Sequence, residues 1–95
     1  VWARVDGIYI PKDATYTVRI HYASDTPRAL GLVSRNDSAV TVQTLDNVLF
    51  PATGGLNSWQ TLAVPVDFDA GDLADLRIVA TSDQGVQLDW LRIEH

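Results

Sequence analysis

Cysteine is absent from this sequence, which removes both a disulfide framework and thiolate metal sites, although it leaves the cellular compartment open. Basic residues are few: seven Lys and Arg stand against twelve Asp and Glu, a net charge of −5. That balance opposes the counterion release that supplies most non-specific affinity for DNA and RNA, so nucleic acid and anionic membrane are excluded as partners. No apolar run approaches the ~18 residues that suggest a membrane span. Histidine is scarce too, with only His21 and His95, and neither lies near a Ser or Cys in a nucleophile setting such as G-x-S-x-G. Acyl-transfer chemistry therefore has no support. No apolar pattern of helical period persists for ten residues.

What is present reads as strands. In Thr15 to Tyr22 the apolar Tyr16, Val18, Ile20 and Tyr22 alternate with Thr15, Thr17, Arg19 and His21, a period of two. Similar β-branched or aromatic stretches lie near 2–10, 29–34, 39–43, 47–50, 59–66, 74–80 and 86–93. Turn-formers separate them at Pro11-Lys12-Asp13, Ser24-Asp25-Thr26-Pro27, Arg35-Asn36-Asp37-Ser38, Thr53-Gly54-Gly55, Asp69-Ala70-Gly71-Asp72 and Ser82-Asp83-Gln84-Gly85. Ninety-five residues with 46% apolar content form one domain around a single modest core. About eight short antiparallel strands with turns at this spacing predict an all-β sandwich. Asp72 to Arg77 is the one stretch with room for a helical turn. Trp59 breaks the parity shared by Leu62, Val64 and Val66, and a bulge would reconcile them.

Three candidate chemical features have plainer readings. Asp67-Phe68-Asp69-Ala70-Gly71-Asp72 resembles the start of a calcium loop, but its fifth position is glycine and no glutamate follows at the twelfth, so it reads as a solvated turn. Two acids on one exposed turn also lack the apolar pocket that a glycosidase acid requires. Asn36-Asp37-Ser38 matches the N-glycosylation pattern, which matters only in a eukaryotic source. Trp2, Trp59 and Trp90 fit either the core or a neutral-sugar site, where aromatic faces stack on pyranose C–H groups and amides bond the hydroxyls. Tyr16, Val18, Ile20, Tyr22, Trp59 and Trp90 are expected in the core, and Trp90→Ala is expected to cost ~3–5 kcal/mol.

Ile10-Pro11 is followed by Tyr16-Thr17-Val18-Arg19 and Tyr22-Ala23-Ser24, then Phe50-Pro51-Ala52-Thr53-Gly54-Gly55 with Trp59, then Asp69-Ala70-Gly71, and finally Gln87-Leu88-Asp89-Trp90-Leu91-Arg92-Ile93. In this order, and over nearly all of the chain, these blocks resemble carbohydrate-binding module family 6. The Arg19 to Ser24 block also resembles the third domain of insecticidal crystal toxins, whereas the Pro-Ala-Thr-Gly-Gly block does not.

The resemblance implies a jelly-roll sandwich that binds a β-linked polysaccharide without catalysis and targets an attached glycoside hydrolase to its substrate. It implies an extracellular, bacterial setting. Family members begin some thirty residues earlier, with a strand bearing calcium ligands and a loop bearing a stacking aromatic. The chain is thus expected to be cut from something longer, and a dimer or a completing segment from another chain is expected to cover the open sheet edge. The loop-end sugar site implied by the family falls on Leu56, Asn57 and Gln87. Leu56 stands where the family stacks an aromatic, and Gln87 where it uses Asn. Trp2 aligns with an aromatic used in a second site on the concave sheet face, and is the expected stacking residue. Asp89 falls on the family's structural calcium ligand, so a structural calcium ion is the expected cofactor. The alternative reading is a structural jelly roll that has lost sugar binding and packs against a neighbouring domain or chain.

Overall fold

The structure, a computed structural model, describes residues 3–79 and 86–94. All regular structure among them is β, in seven strands: β1 (Ala3–Ile10), β2 (Ala14–Ser24), β3 (Arg28–Arg35), β4 (Thr41–Phe50), β5 (Gly55–Phe68), β6 (Gly71–Val79) and β7 (Val86–Glu94). They form two sheets, ordered β1-β6-β3-β4 and β5-β2-β7, with every pairing antiparallel. This is the sandwich that the alternation predicted. Among the described residues no helix is long and apolar enough to cross a membrane.

The core follows parity. Tyr16, Val18, Ile20 and Tyr22 of β2 face Leu30 and Leu32 of β3 and Ala74, Leu76 and Ile78 of β6, with Val64, Val66, Phe68 and Phe50 closing the layer. Tyr22 and Phe50 meet edge to face at 5.1 Å and 76°, and Tyr16 meets Phe68 at 6.0 Å and 79°. Each tyrosine sends its hydroxyl to a main-chain carbonyl at the rim, Tyr16 to Lys12 and Tyr22 to Pro51, both at 2.7 Å. Burial thereby raises the Tyr22 phenol above its ordinary pKa, since the charged form has lost water. Buried Ser34 is satisfied in the same way, donating to the carbonyl of Asp67 at 2.6 Å.

Bulges set which side chains face out. In β1, Asp6 and Gly7 stand opposite one β6 residue, and Gly7 takes φ 66°, a left-handed conformation that suits glycine. The two stretches expected near 39–43 and 47–50 are one strand, β4, which is why seven strands replace eight. Asp46 and Asn47 form a bulge opposite Gly31, with Asn47 at φ 56°. A strand survives a bulge because pairing resumes on both sides, whereas composition registers only the interruption. Asp72 to Arg77, the one stretch with room for a helical turn, lies wholly within β6.

The Asp-rich stretches are turns. Asn36 accepts from the amides of Ser38 and Val40, both at 3.0 Å, so its side-chain carbonyl is spent within its own turn. Asp37 accepts from the amides of Asp72 and Leu73 at 3.1 and 2.8 Å and ties the β3–β4 turn to the start of β6. Asp13 likewise accepts from the Ala70 amide at 2.7 Å.

Candidate functional site

Trp59 and Trp90 are not core residues. Between Ala14 and Tyr22 the β2–β5 register runs without a bulge, so Trp59 keeps the parity of Thr61, Ala63 and Pro65 on the outer face. The irregularity falls further along, where Leu56 to Trp59 stand opposite the single Ala23. On β7, Asp89 is the extra residue of a bulge between Leu88, which faces in, and Trp90, which pairs with His21 and faces out. Trp59 and Trp90 are 40% and 41% exposed, so the cost expected for a buried Trp90 does not apply.

His21 lies between them. Its ring stacks on Trp59 at 5.7 Å and 13°, and on Trp90 at 5.0 Å and 5°, giving a three-ring row across β5, β2 and β7. His21 Nδ1 lies 3.2 Å from Thr61 Oγ1 and its Nε2 lies 3.8 Å from Asp89 Oδ2. The Arg92 guanidinium sits 5.5 Å from the Trp90 ring centre, a cation–π contact. Sequence reasoning placed His21 on the polar side of β2 but missed the row. The available signal was the parity of Trp59, which needed no bulge to explain it.

The residues singled out for sugar binding divide. Leu56 and Asn57 begin β5 and are exposed, and exposed Gln87 pairs with Ala23 on the other side of β2, one residue from Ser24, which pairs with Gly55. The structure thus brings Leu56, Asn57 and Gln87 to one end of the three-stranded sheet. That end is held by Thr53, whose hydroxyl accepts from the Ser24 amide at 3.0 Å and donates to the Gly55 carbonyl at 3.0 Å. Gly54 and Gly55 supply φ values of 103° and 147°, which side chains larger than hydrogen disfavour. Trp2 lies outside the described residues.

Asp89 is exposed and faces His21 rather than other carboxylates. A calcium ion takes six to eight oxygens, and among the described residues no three His, Asp or Glu side chains converge. These residues alone do not fit the expected ion, and no chemistry is routed through it.

On the opposite sheet, an open concavity of about 520 Å³ is lined by Gly31, Val33, Thr44, Asp46, Asn47 and Val79. Gly31 forms its floor, since a Cβ there would already touch the Leu45 carbonyl at 3.4 Å and Val79 at 3.5 Å. Along the same outer face, Asp75 is buried between Arg35 at 3.6 Å and Arg77 at 3.8 Å.

At the far end of β7, Glu94 accepts a hydrogen bond from Arg19 Nε. That bond holds its carboxyl below the ordinary glutamate range, with the charges of Arg19 and Arg92 adding to it and desolvation opposing it. A lowered folded-state pKa stabilises the fold above the unfolded value, and the gain is lost as pH falls through the folded one. Glu94→Gln is therefore expected to lower Tm slightly at neutral pH and to melt with the wild type once the Glu94 carboxyl is protonated in both the folded and the unfolded state. Melts from pH 7 to pH 3 check this, and a gap that persists at pH 3 counts against it.

The fold is that of the β-sandwich carbohydrate-binding modules of families 6 and 35. The family 35 module from Paenibacillus barcinonensis superposes with a TM-score of 0.80 at 25% identity, over 97% of this chain and 68% of that one. A family 6 module of Cellvibrio mixtus lichenase 5A, solved with cellotriose, superposes at 0.67 with 24% identity, over 97% and 70%. The isomalto-dextranase of Arthrobacter globiformis T6, solved with panose, matches at 0.80 with 19% identity, over 95% of this chain but only 15% of the enzyme. No protein-family model and no curated protein matches the sequence.

Proposed function

We propose that this chain is a non-catalytic domain that binds a β-linked polysaccharide and, outside the cell, holds an attached glycoside hydrolase near its substrate. The observation that carries the reading is the superposition on carbohydrate-binding modules over 97% of the chain, one of them in complex with cellotriose. The match to 15% of the isomalto-dextranase supports an accessory role, since there the same fold is one part of a larger enzyme. Tethering of this kind raises the effective concentration of a catalytic site at its substrate without new contacts.

Several carboxylates are engaged within the fold: Asp13 and Asp37 accept from amides of distant segments, Asp67 accepts from Thr15, Asp75 lies between two arginines, and Glu94 pairs with Arg19. A glycosidase instead needs two carboxyl groups facing each other across a bound sugar. The end of the three-stranded sheet with Leu56, Asn57 and Gln87 is where we place the glycan.

Affinity electrophoresis through xylan, laminarin, soluble cellulose derivatives and agar, with and without chelator, tests the proposal. Retardation in a β-linked glycan, with no release of reducing sugar, is the expected result. Unretarded migration in every gel would leave the structural, non-binding jelly roll as the better account. Retardation lost only with chelator would add a calcium ion held by ligands beyond the described residues.

A further inference from the structure

The proposed site has no aromatic ring at its expected stacking position, where Leu56 stands, yet a ring is present three residues on. Leu56 to Trp59 leave the regular β2–β5 ladder together, and every residue from Leu56 to Gln60 is exposed. β5 is the edge of its sheet. With His21 against one face of the Trp59 indole and two fifths of the residue still exposed, the opposite face opens outward past the edge strand.

Two observations indicate what that face suits. From Asn47 to Val66 the chain carries no charged side chain, although charged residues make up 20% of the whole. The exposed stretch of β5 that carries Trp59 therefore offers amides and a hydroxyl, from Asn57, Ser58 and Gln60, which match a neutral, hydroxyl-rich ligand. Trp90 differs, since Asp89, Arg92 and Glu94 flank it and a guanidinium lies against its ring. The second observation is mechanical. The row from Trp59 through His21 to Trp90 braces the indole from behind, so less side-chain freedom remains to be lost on binding.

We propose that the outward face of Trp59, held by His21 and Trp90, is the stacking platform for a neutral pyranose, with Asn57 beside it. The assignment rests on the glycan-binding reading above and specifies its contact residue. His21 and Trp90 are positioning residues, because they reach the sugar only through Trp59.

The wild type, Trp59→Ala, Trp59→Tyr, Trp2→Ala and Leu73→Ala are run in affinity gels of whichever polysaccharide retards the wild type, with thermal melts to confirm folding. Trp59→Ala is expected to weaken binding about tenfold or more, since a stacked ring contributes area burial and specific geometry together. Trp59→Tyr keeps a flat ring and retains part of the affinity, Trp2→Ala loses less than Trp59→Ala, and Leu73→Ala, exposed on the other sheet, binds as the wild type does. A second readout uses Trp2→Phe/Trp90→Phe, in which Trp59 is the sole indole. Its fluorescence is expected to shift saturably with cellotriose.

A wild type that binds nothing overturns the glycan-binding reading, and the platform with it. A wild type that binds while Trp59→Ala binds equally well overturns the platform alone. Loss of binding in Trp2→Ala with Trp59→Ala intact reassigns the stack to Trp2 and also overturns it.

Discussion

Phe50→Ala is expected to destabilise the fold by about 3–5 kcal/mol, the usual range for truncating a buried ring. Phe50 is fully buried at the end of β4, where its ring meets Tyr22 edge to face. Truncation opens a cavity and removes the aromatic contact. It also loosens the rim at Pro51, whose carbonyl accepts from the Tyr22 hydroxyl. Interiors are too closely packed for the two sheets to collapse into that space at low cost. Denaturant unfolding followed by circular dichroism gives the value, and a loss below about 1.5 kcal/mol would show that the site repacks. The exposed tryptophans should respond less: Trp90→Ala removes a ring that water already reaches, and its loss should fall well below that of Phe50.

Asp75→Ala is expected to destabilise the fold by about 2–4 kcal/mol, because it strands two partly buried guanidiniums. Asp75 lies 3.6 Å from Arg35 Nε and 3.8 Å from Arg77 Nε, ion pairs longer than a hydrogen bond, and neither Nε has a hydrogen-bond partner among the described residues. Its carboxylate is the counter-charge to both guanidiniums. The arginine side chains keep 20% and 24% exposure, which places the estimate below the full cost of a deeply buried unpaired charge. Asp75→Ala combined with Arg35→Leu and Arg77→Leu should recover much of the loss, since no charge is then left unpaired. If the triple variant were no more stable than Asp75→Ala, packing rather than charge would be the cause.

Much of the architecture was legible in the alternation. Tyr16, Val18, Ile20 and Tyr22 read as one buried face because a strand turns successive side chains to opposite sides, and all four are buried. The turn-formers between strands were legible for an equally local reason: Gly54 and Gly55 adopt left-handed φ values, and Asn36 closes its turn with its own side chain. Leu56, Asn57 and Gln87, which the resemblance to family 6 modules singled out, lie at one end of the three-stranded sheet.

Trp59 and Trp90 were misread because size and hydrophobicity were weighed above parity. In β5, parity alone places Trp59 with Thr61 and away from Val64 and Val66. Trp90 was harder, since Leu91 and Ile93 place it outward while Leu88, which shares its parity, faces in, and only the Asp89 bulge reconciles the two. The one β4 strand was likewise hidden, because the interruption between the stretches near 39–43 and 47–50 includes a bulge at Asp46 and Asn47.

The sequence by itself determined that this chain is all β, which faces of its best strands are buried, and where it turns, because those properties rest on the period of two and on residues acting on their own backbone. Tertiary structure decided which strands became neighbours, and with them every feature made across strands. These are the row of Trp59, His21 and Trp90, the Asp75 charge pair with Arg35, and the hollow over Gly31. Each depends on register between segments far apart in the chain, and register is fixed by packing the two sheets together, which no single strand encodes.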